Sequence, residues 1–352
     1  MKPDNNKKNT IHDVARIAGT SATTVSRVLS DSGYPVSEGL RKRVLKAVND
    51  LNFSPNTLAQ SLKSSNNKEV GIIVPNISNP FYSMAILGVE RVMQSDGYTL
   101  LLCNTFRQGE KEREYLKMLY DKQVTGVIVS AAAENGGNVA QFAEKGMNFV
   151  LLDQKIEGVN CNNINFDFRQ GGRLATEYLI KKGHRKIALI TTPITRWSRS
   201  EIYKGYVNAL AEGNMQNTQP DVLEGDAEQD DNESVYEHLV GRQMAKKFVE
   251  QKCPATGAIC VNDMVAFGFI QELNIQGIRV PEDVSVIGFD DIPFASMFSP
   301  ALTTIRCSAI DIGMVAGRIL IDRIEGRAMY DSNLKIEPEV IERCTVKDIN
   351  GI

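Results

Sequence analysis

Histidine and cysteine are too few and too scattered in this chain to build a metal centre or a nucleophile pair. The three histidines, His12, His184 and His238, do not cluster near the six cysteines, Cys103, Cys161, Cys253, Cys260, Cys307 and Cys344, and zinc-ligand spacing is absent. Reduced, mostly buried thiols are the expectation, with no metal and no cofactor. A nucleophile elbow, a P-loop and a G-x-G-x-x-G turn after a strand are also missing. Gly136-Gly137 and Gly171-Gly172 are too isolated to cradle a phosphate. These absences argue against an enzyme. Apolar runs fall short of the ~18 to 20 residues of a membrane span. Met1 to Asn9 is polar and Asn/Lys-rich, unlike a signal peptide. The expected location is the cytoplasm.

What is present divides unevenly. At 352 residues the chain exceeds one domain of ~100 to 200 residues, so two or three compact units are expected. The net charge of -3 hides an asymmetry: residues 1 to 68 carry 11 Lys and Arg against 5 Asp and Glu, and the remainder 29 against 38. A basic front on an acidic body places a polyanionic partner at the N-terminus.

Within that front, Thr10 to Lys63 reads as a small helical module. Thr10 precedes Asp13 in a capping-box arrangement, and Ile11, Val14, Ala15 and Ala18 recur at helical spacing. Gly19 suits a left-handed C-terminal residue, and Ser21 caps a second helix. That helix turns Val25, Val28 and Leu29 inward and leaves Ala22, Thr23, Ser26 and Arg27 outward, chemistry suited to base edges and phosphates in a major groove. Ser37 is expected to cap a third helix, with Leu40, Val44, Val48 and Leu51 inward and Arg41, Lys42, Arg43 and Lys46 outward. Ser54-Pro55 breaks the pattern. Asn56 to Lys63 has room for about two turns, too short to be stable alone, and Ser64 to Lys68 is a polar linker.

IHDVARIAGTSATTVSRVLS followed by RKRVLKAVNDLNFSPNTLAQSLK resembles the headpiece of the lactose-repressor (LacI/GalR) family of transcription factors. The resemblance implies a DNA-contacting set of Thr10, Ser21, Ala22, Thr23, Thr24, Ser26 and Arg27. It also implies a hinge helix contributing Asn56, Ala59, Gln60, Leu62 and Lys63, which pairs with its twin and wedges Leu62 into the minor groove. The expected units are a disordered tail over 1-9, the helix-turn-helix headpiece over 10-53, hinge and linker over 54-68, and a core over 69-350.

From Glu69 onward, short apolar strands alternate with amphipathic helices. Val70 to Val74, Thr99 to Cys103, Gly126 to Val129 and Phe149 to Leu152 read as one set of strands. Lys186 to Thr191, Asp221 to Glu224, Ala258 to Val261 and Val284 to Gly288 read as a second. The fold class is α/β: the headpiece plus two Rossmann-like parallel-sheet lobes that close on a small molecule. Ligands in such sheets lie beyond the carboxyl ends of the strands. That singles out Asn79, Phe81 and Tyr82 after the first strand and Asp153 after the fourth. In the second set, Arg196, Trp197, Ser198 and Arg199 follow one strand, Asn262-Asp263 another and Asp290-Asp291 the last.

The stretches IIVPNISNPFY, NDMVAFG, VPEDVSVIGFDD and SPALTTIR extend the family resemblance across the core, and through it to periplasmic sugar-binding proteins. It implies a lower lobe of about 69-165 and 306-335, an upper lobe of about 166-305 and 336-350, and effector contacts at Phe81, Tyr82, Asp153, Arg196, Asn262 and Asp290. Ser198 and Arg199 join this set from the arginine-rich turn. Two features depart from the family pattern. Ala227 stands where an aromatic is common, followed by an acidic run from Glu228 to Glu233, and positive charge sits on Arg196 and Arg199 rather than near Lys204. The expected effector is a sugar, sugar acid or sugar phosphate, and because two guanidiniums can hold a carboxylate or phosphate the arginines favour an acidic or phosphorylated sugar.

Together these readings predict a repressor that binds a pseudo-palindromic double-stranded DNA operator as a homodimer, or a tetramer, under control of that effector. The competing reading, a small-molecule-binding sensory protein with no DNA role, leaves the first 63 residues unexplained.

Overall fold

The computed structural model describes residues 9-29, 34-53, 67-130, 136-154, 156, 161-213, 220-226, 236-327 and 333-351. Almost all of the tail and of the hinge segment, including Asn56, Ala59, Gln60, Leu62 and Lys63, lies outside the described residues, as do Ala227 and the acidic run after it. The chain forms two compact units, Met1–Asn67 and Lys68–Ile352.

The first unit contains α1 (Ile11–Ala18), α2 (Ala22–Leu29) and α3 (Glu38–Asp50). Asp13 reaches back to accept the Thr10 N–H at 3.0 Å and its hydroxyl at 2.8 Å, which closes the start of α1. Gly19 ends the helix with φ 62°, and the next N–H, that of Thr20, reaches the Ala15 carbonyl at 3.0 Å. This left-handed turn lets α2 begin at once, with the Ser21 hydroxyl accepting the Thr24 N–H at 3.1 Å. The cap expected of Ser37 is not made: its exposed side chain has no capping bond, and the first turn of α3 closes on its backbone carbonyl instead. Val14, Ala15, Ala18, Val25, Val28, Val44 and Ala47 form the buried centre.

The second unit holds two six-stranded sheets. The first, in spatial order β11-β5-β4-β3-β1-β2, comprises β1 (Glu69–Val74), β2 (Thr99–Asn104), β3 (Gly126–Val129), β4 (Asn148–Leu152), β5 (Asn162–Phe166) and β11 (Asn333–Ile336), all parallel. The second, ordered β12-β10-β9-β8-β6-β7, comprises β6 (Ile187–Thr191), β7 (Asp221–Glu224), β8 (Gly257–Cys260), β9 (Ser285–Asp290), β10 (Thr303–Arg306) and β12 (Glu339–Ile341). Only β12 runs antiparallel to its neighbour there. The chain passes between the sheets after β5, after β10 and after β11, and each sheet with its helices is one lobe.

The lower lobe carries α4 (Pro80–Ser95), α5 (Gly109–Asp121), α6 (Gly137–Ala143) and α12 (Ala309–Ile324). The upper carries α7 (Phe168–Lys181), α8 (Trp197–Glu212), α9 (Tyr236–Glu250), α10 (Asp263–Ile275) and the single turn α11 (Phe294–Met297). Three helix pairs meet through reciprocal glycines. Gly88 and Gly313 join α4 to α12, Gly172 and Gly205 join α7 to α8, and Gly241 and Gly268 join α9 to α10. At each, an added Cβ would lie 2.0 to 2.3 Å from a carbonyl oxygen of the partner helix. Nothing larger than hydrogen fits there.

Candidate functional site

The outer face of α2 is the polar surface of the first unit. Thr23 and Arg27 are exposed and Ala22, Thr24 and Ser26 half-buried. The Arg27 guanidinium lies 4.1 Å from the centre of the exposed Tyr34 ring. Three of the expected contacts also hold the structure together. The Thr24 and Ser21 hydroxyls bond each other at 2.9 Å, and that of Thr10 is given to Asp13. Arg41, Lys42, Arg43 and Lys46 all point into solvent from α3, so the unit presents short hydroxyls, one stacked arginine and a cationic rim.

In the second unit, the candidate effector residues gather where strands end. Asn79 caps α4 by accepting the Phe81 N–H at 3.0 Å, which seats Phe81 and Tyr82 edge to face with ring centres 5.3 Å apart. Both rings are buried. With Asp153, Leu152, Ile164, Phe166 and Phe168 they line a small, largely apolar pocket. Asp153 follows β4 with φ 58°, and its Oδ1 is buried without a hydrogen-bond partner among the described residues. Asn262 caps α10 through Oδ1, 2.8 Å from the Val265 N–H, while its Nδ2 has no partner among the described residues. Asp290 ends β9 at φ 108°. A carboxylate and an amide stranded in this way await a partner that can both donate and accept.

Charge effects couple Asp153, Arg196, Arg199 and Asp290 to one another. Burial raises the Asp153 carboxyl to about 6 against the pull of Arg199 and Arg196. Burial, with Asp263, Asp153 and Glu237 as like charges, holds Asp290 well above the usual carboxylate range, only partly relieved by Arg199. Burial and Arg196 lower Arg199. That guanidinium is already committed, its Nε to the Thr192 hydroxyl at 3.2 Å and its Nη1 to Ser198 at 3.5 Å. Trp197 packs edge on to Phe168, ring centres 5.7 Å apart, as part of the wall. Of the neighbouring acids, Asp291 is held by Arg306 at 2.8 Å and by Arg343 at 2.5 Å. Asp263 takes the Thr304 hydroxyl at 2.6 Å and the Ile292 N–H at 2.9 Å, so both secure the strand ends.

The sequence reading passed over Arg107 and Glu237. Arg107, in the turn after β2, ion-pairs with Glu237 in the first turn of α9, and Asn79 Nδ2 donates to the same carboxylate oxygen at 3.1 Å. No local signal marks them, because the pair is 130 residues apart.

A helix-turn-helix unit carried with a two-lobed core around a charged cleft defines a class of DNA-binding transcription regulators. The model for bacterial regulatory proteins of the lacI family matches residues 10-56, and a periplasmic binding protein-like domain matches 176-346. The HTH-type transcriptional repressor PurR of Vibrio atlanticus (strain LGP32) is 36% identical over 97% of this chain and 99% of its own length. The Lac repressor dimer bound to operator and the anti-inducer ONPF superposes with a TM-score of 0.84 at 26% identity, covering 97% of this chain and all (100%) of that one. A LacI family transcriptional regulator from Enterococcus faecium with bound ribose gives 0.71 at 27% identity over 80% of this chain and 100% of that one. This chain belongs to the LacI family of transcriptional repressors. Among the described residues, no helix is long and apolar enough to cross a membrane.

Proposed function

We propose that the protein represses transcription from the cytoplasm as a homodimer on a pseudo-palindromic operator, and that a neutral, hydroxyl-rich sugar in the interlobe cleft sets its affinity for DNA. The ribose held by the Enterococcus relative and the operator-bound dimer of the Lac repressor support both halves. Thr10, Ser21, Ala22, Thr23, Thr24, Ser26 and Arg27 contact the major groove, and Asn56, Ala59, Gln60, Leu62 and Lys63 the minor groove.

The observation that carries the effector class is that two buried polar atoms at strand ends, Asp153 Oδ1 and Asn262 Nδ2, have no partner among the described residues. A hydroxyl donates to the first and accepts from the second. Phe81 and Tyr82 offer flat apolar surface to sugar C–H groups, and Asp290, Arg196, Ser198 and Arg199 complete the contacts. An acidic or phosphorylated sugar fits less well, because the Arg199 guanidinium is already bonded to the Thr192 and Ser198 hydroxyls. The test is a thermal-shift panel on the full-length protein: neutral pentoses and hexoses, their aldonic acids and their phosphates. A neutral sugar should raise Tm, and Asp290→Ala should remove the shift while operator binding persists. Stabilisation by acids or phosphates alone would refute the neutral class. Stabilisation unaffected by Asp290→Ala would refute the site.

A further inference from the structure

We propose that Glu237 is an interlobe latch, an upper-lobe carboxylate held by two lower-lobe donors, Arg107 and Asn79, which keeps this side of the cleft shut before any effector arrives. The inference rests on the two-lobed core and is independent of the effector's identity.

Glu237 occupies the first turn of α9, where a negative charge is favoured by the helix dipole, and its side chain is 1% exposed against 13% for Arg107. Its Oε1 accepts from both Arg107 Nη2 and Asn79 Nδ2, while Oε2 has no partner among the described residues. Arg107 is gripped a second time by the same helix start, its guanidinium 5.3 Å from the Tyr236 ring centre. Tyr236 is anchored in turn through its hydroxyl, 2.6 Å from the Asp226 carbonyl. On the lower side neither donor is loose. Arg107 stands at φ 61° with its N–H bonded to the Pro75 carbonyl at 3.1 Å, and Asn79 is the N-cap of α4. The latch therefore ties the turns after β1 and β2 to the start of α9.

Burial gives the pair its leverage. Removing one member of a buried ion pair leaves the other desolvated and unpaired, which costs more than removing both. Opening the lobes here would water both charges only after the pair is broken. Closure is thus made nearly all-or-none at this point. Asn79 also seats Phe81 and Tyr82 through its Oδ1, so the latch and the cap that positions two candidate effector contacts share one side chain.

Hydrogen exchange on the full-length protein, with no ligand added, tests the latch. Arg107→Ala should speed exchange about tenfold in the amides of residues 79-83 and 236-240, while Gly126–Val129 and Gly257–Cys260 stay protected. Arg107→Ala combined with Glu237→Ala should exchange no faster than Arg107→Ala alone. Glu237→Gln, which keeps an acceptor of the same shape but loses the charge, should fall between wild type and Arg107→Ala. Unchanged exchange at both segments, additive effects in the double variant, or faster exchange spread evenly through both sheets would each overturn the proposal.

Discussion

The two units solve the problem of presenting polar groups in opposite ways. Among its described residues the headpiece buries only alanine and valine at its centre, Val14, Ala15, Ala18, Val25, Val28, Val44 and Ala47. So small a core contributes little, and definition comes from ends: Asp13 on Thr10, the Gly19 turn, Ser21 on Thr24. Its functional groups are exposed or half-buried, and two of them double as caps. The core, by contrast, encloses Phe149, Phe166, Tyr206, Phe269 and Phe289 and can keep charges desolvated. A surface reader can be held by caps; a cleft that strands a carboxylate needs massive packing around it.

That contrast predicts separable lesions. Arg27→Ala should cut operator affinity by up to about 150-fold, the worth of a strong base or phosphate contact, with Tm shifts by sugars intact. A gel-shift titration against specific and random duplex measures it, and equal affinity for the two forms of the protein would remove α2 from the groove.

Asp153→Asn should act on the core alone and in the other direction. A carboxyl raised to about 6 in the folded protein, from ~3.9 unfolded, binds more protons folded than unfolded. Its stabilising proton is fully present below pH ~4 and lost as pH rises through 6. The neutral amide should therefore stabilise the core by about 3 kcal/mol at pH 8 and by much less at pH 4. Denaturant unfolding followed through the only tryptophan, Trp197, gives the comparison. A gain independent of pH would mean that shape, not charge, was the cause. The smallest effect is expected from Ser21→Ala, a loss of about 1 kcal/mol from the headpiece. Exchange at the amides of α2 should quicken while the Trp197 transition stays put.

How legible each unit was in sequence follows from the same difference. Headpiece features are local: a glycine, a hydroxyl and an acid three or four residues from their partners. The apolar strands β1 to β4 and β6 to β9 also announce themselves. The α/β class with a helix-turn-helix front was therefore readable, and the LacI family with it. By contrast β5, Asn162–Phe166, carries three asparagines, and β10, β11 and β12 are three or four residues long. Their strand character comes from neighbours far away in the chain, as β11 beside β5 shows. In the cleft, strand-end position picked out Asp153, Asn262 and Asp290. It could not show that Arg199 was already bonded, nor that Glu237, which resembles any acid at a helix start, reaches Arg107. Ser37 erred in the other direction, since the right residue at a helix start still made no capping bond with its hydroxyl.

The reciprocal glycines have a mechanical meaning. Where Gly88 and Gly313 bring α4 and α12 backbone to backbone, there is no side chain to swing aside and absorb a displacement, so the pair behaves as one stiff bar. A tug on Asn79 at the head of α4 is then felt undiminished along α12, the first helix after the chain re-enters that lobe.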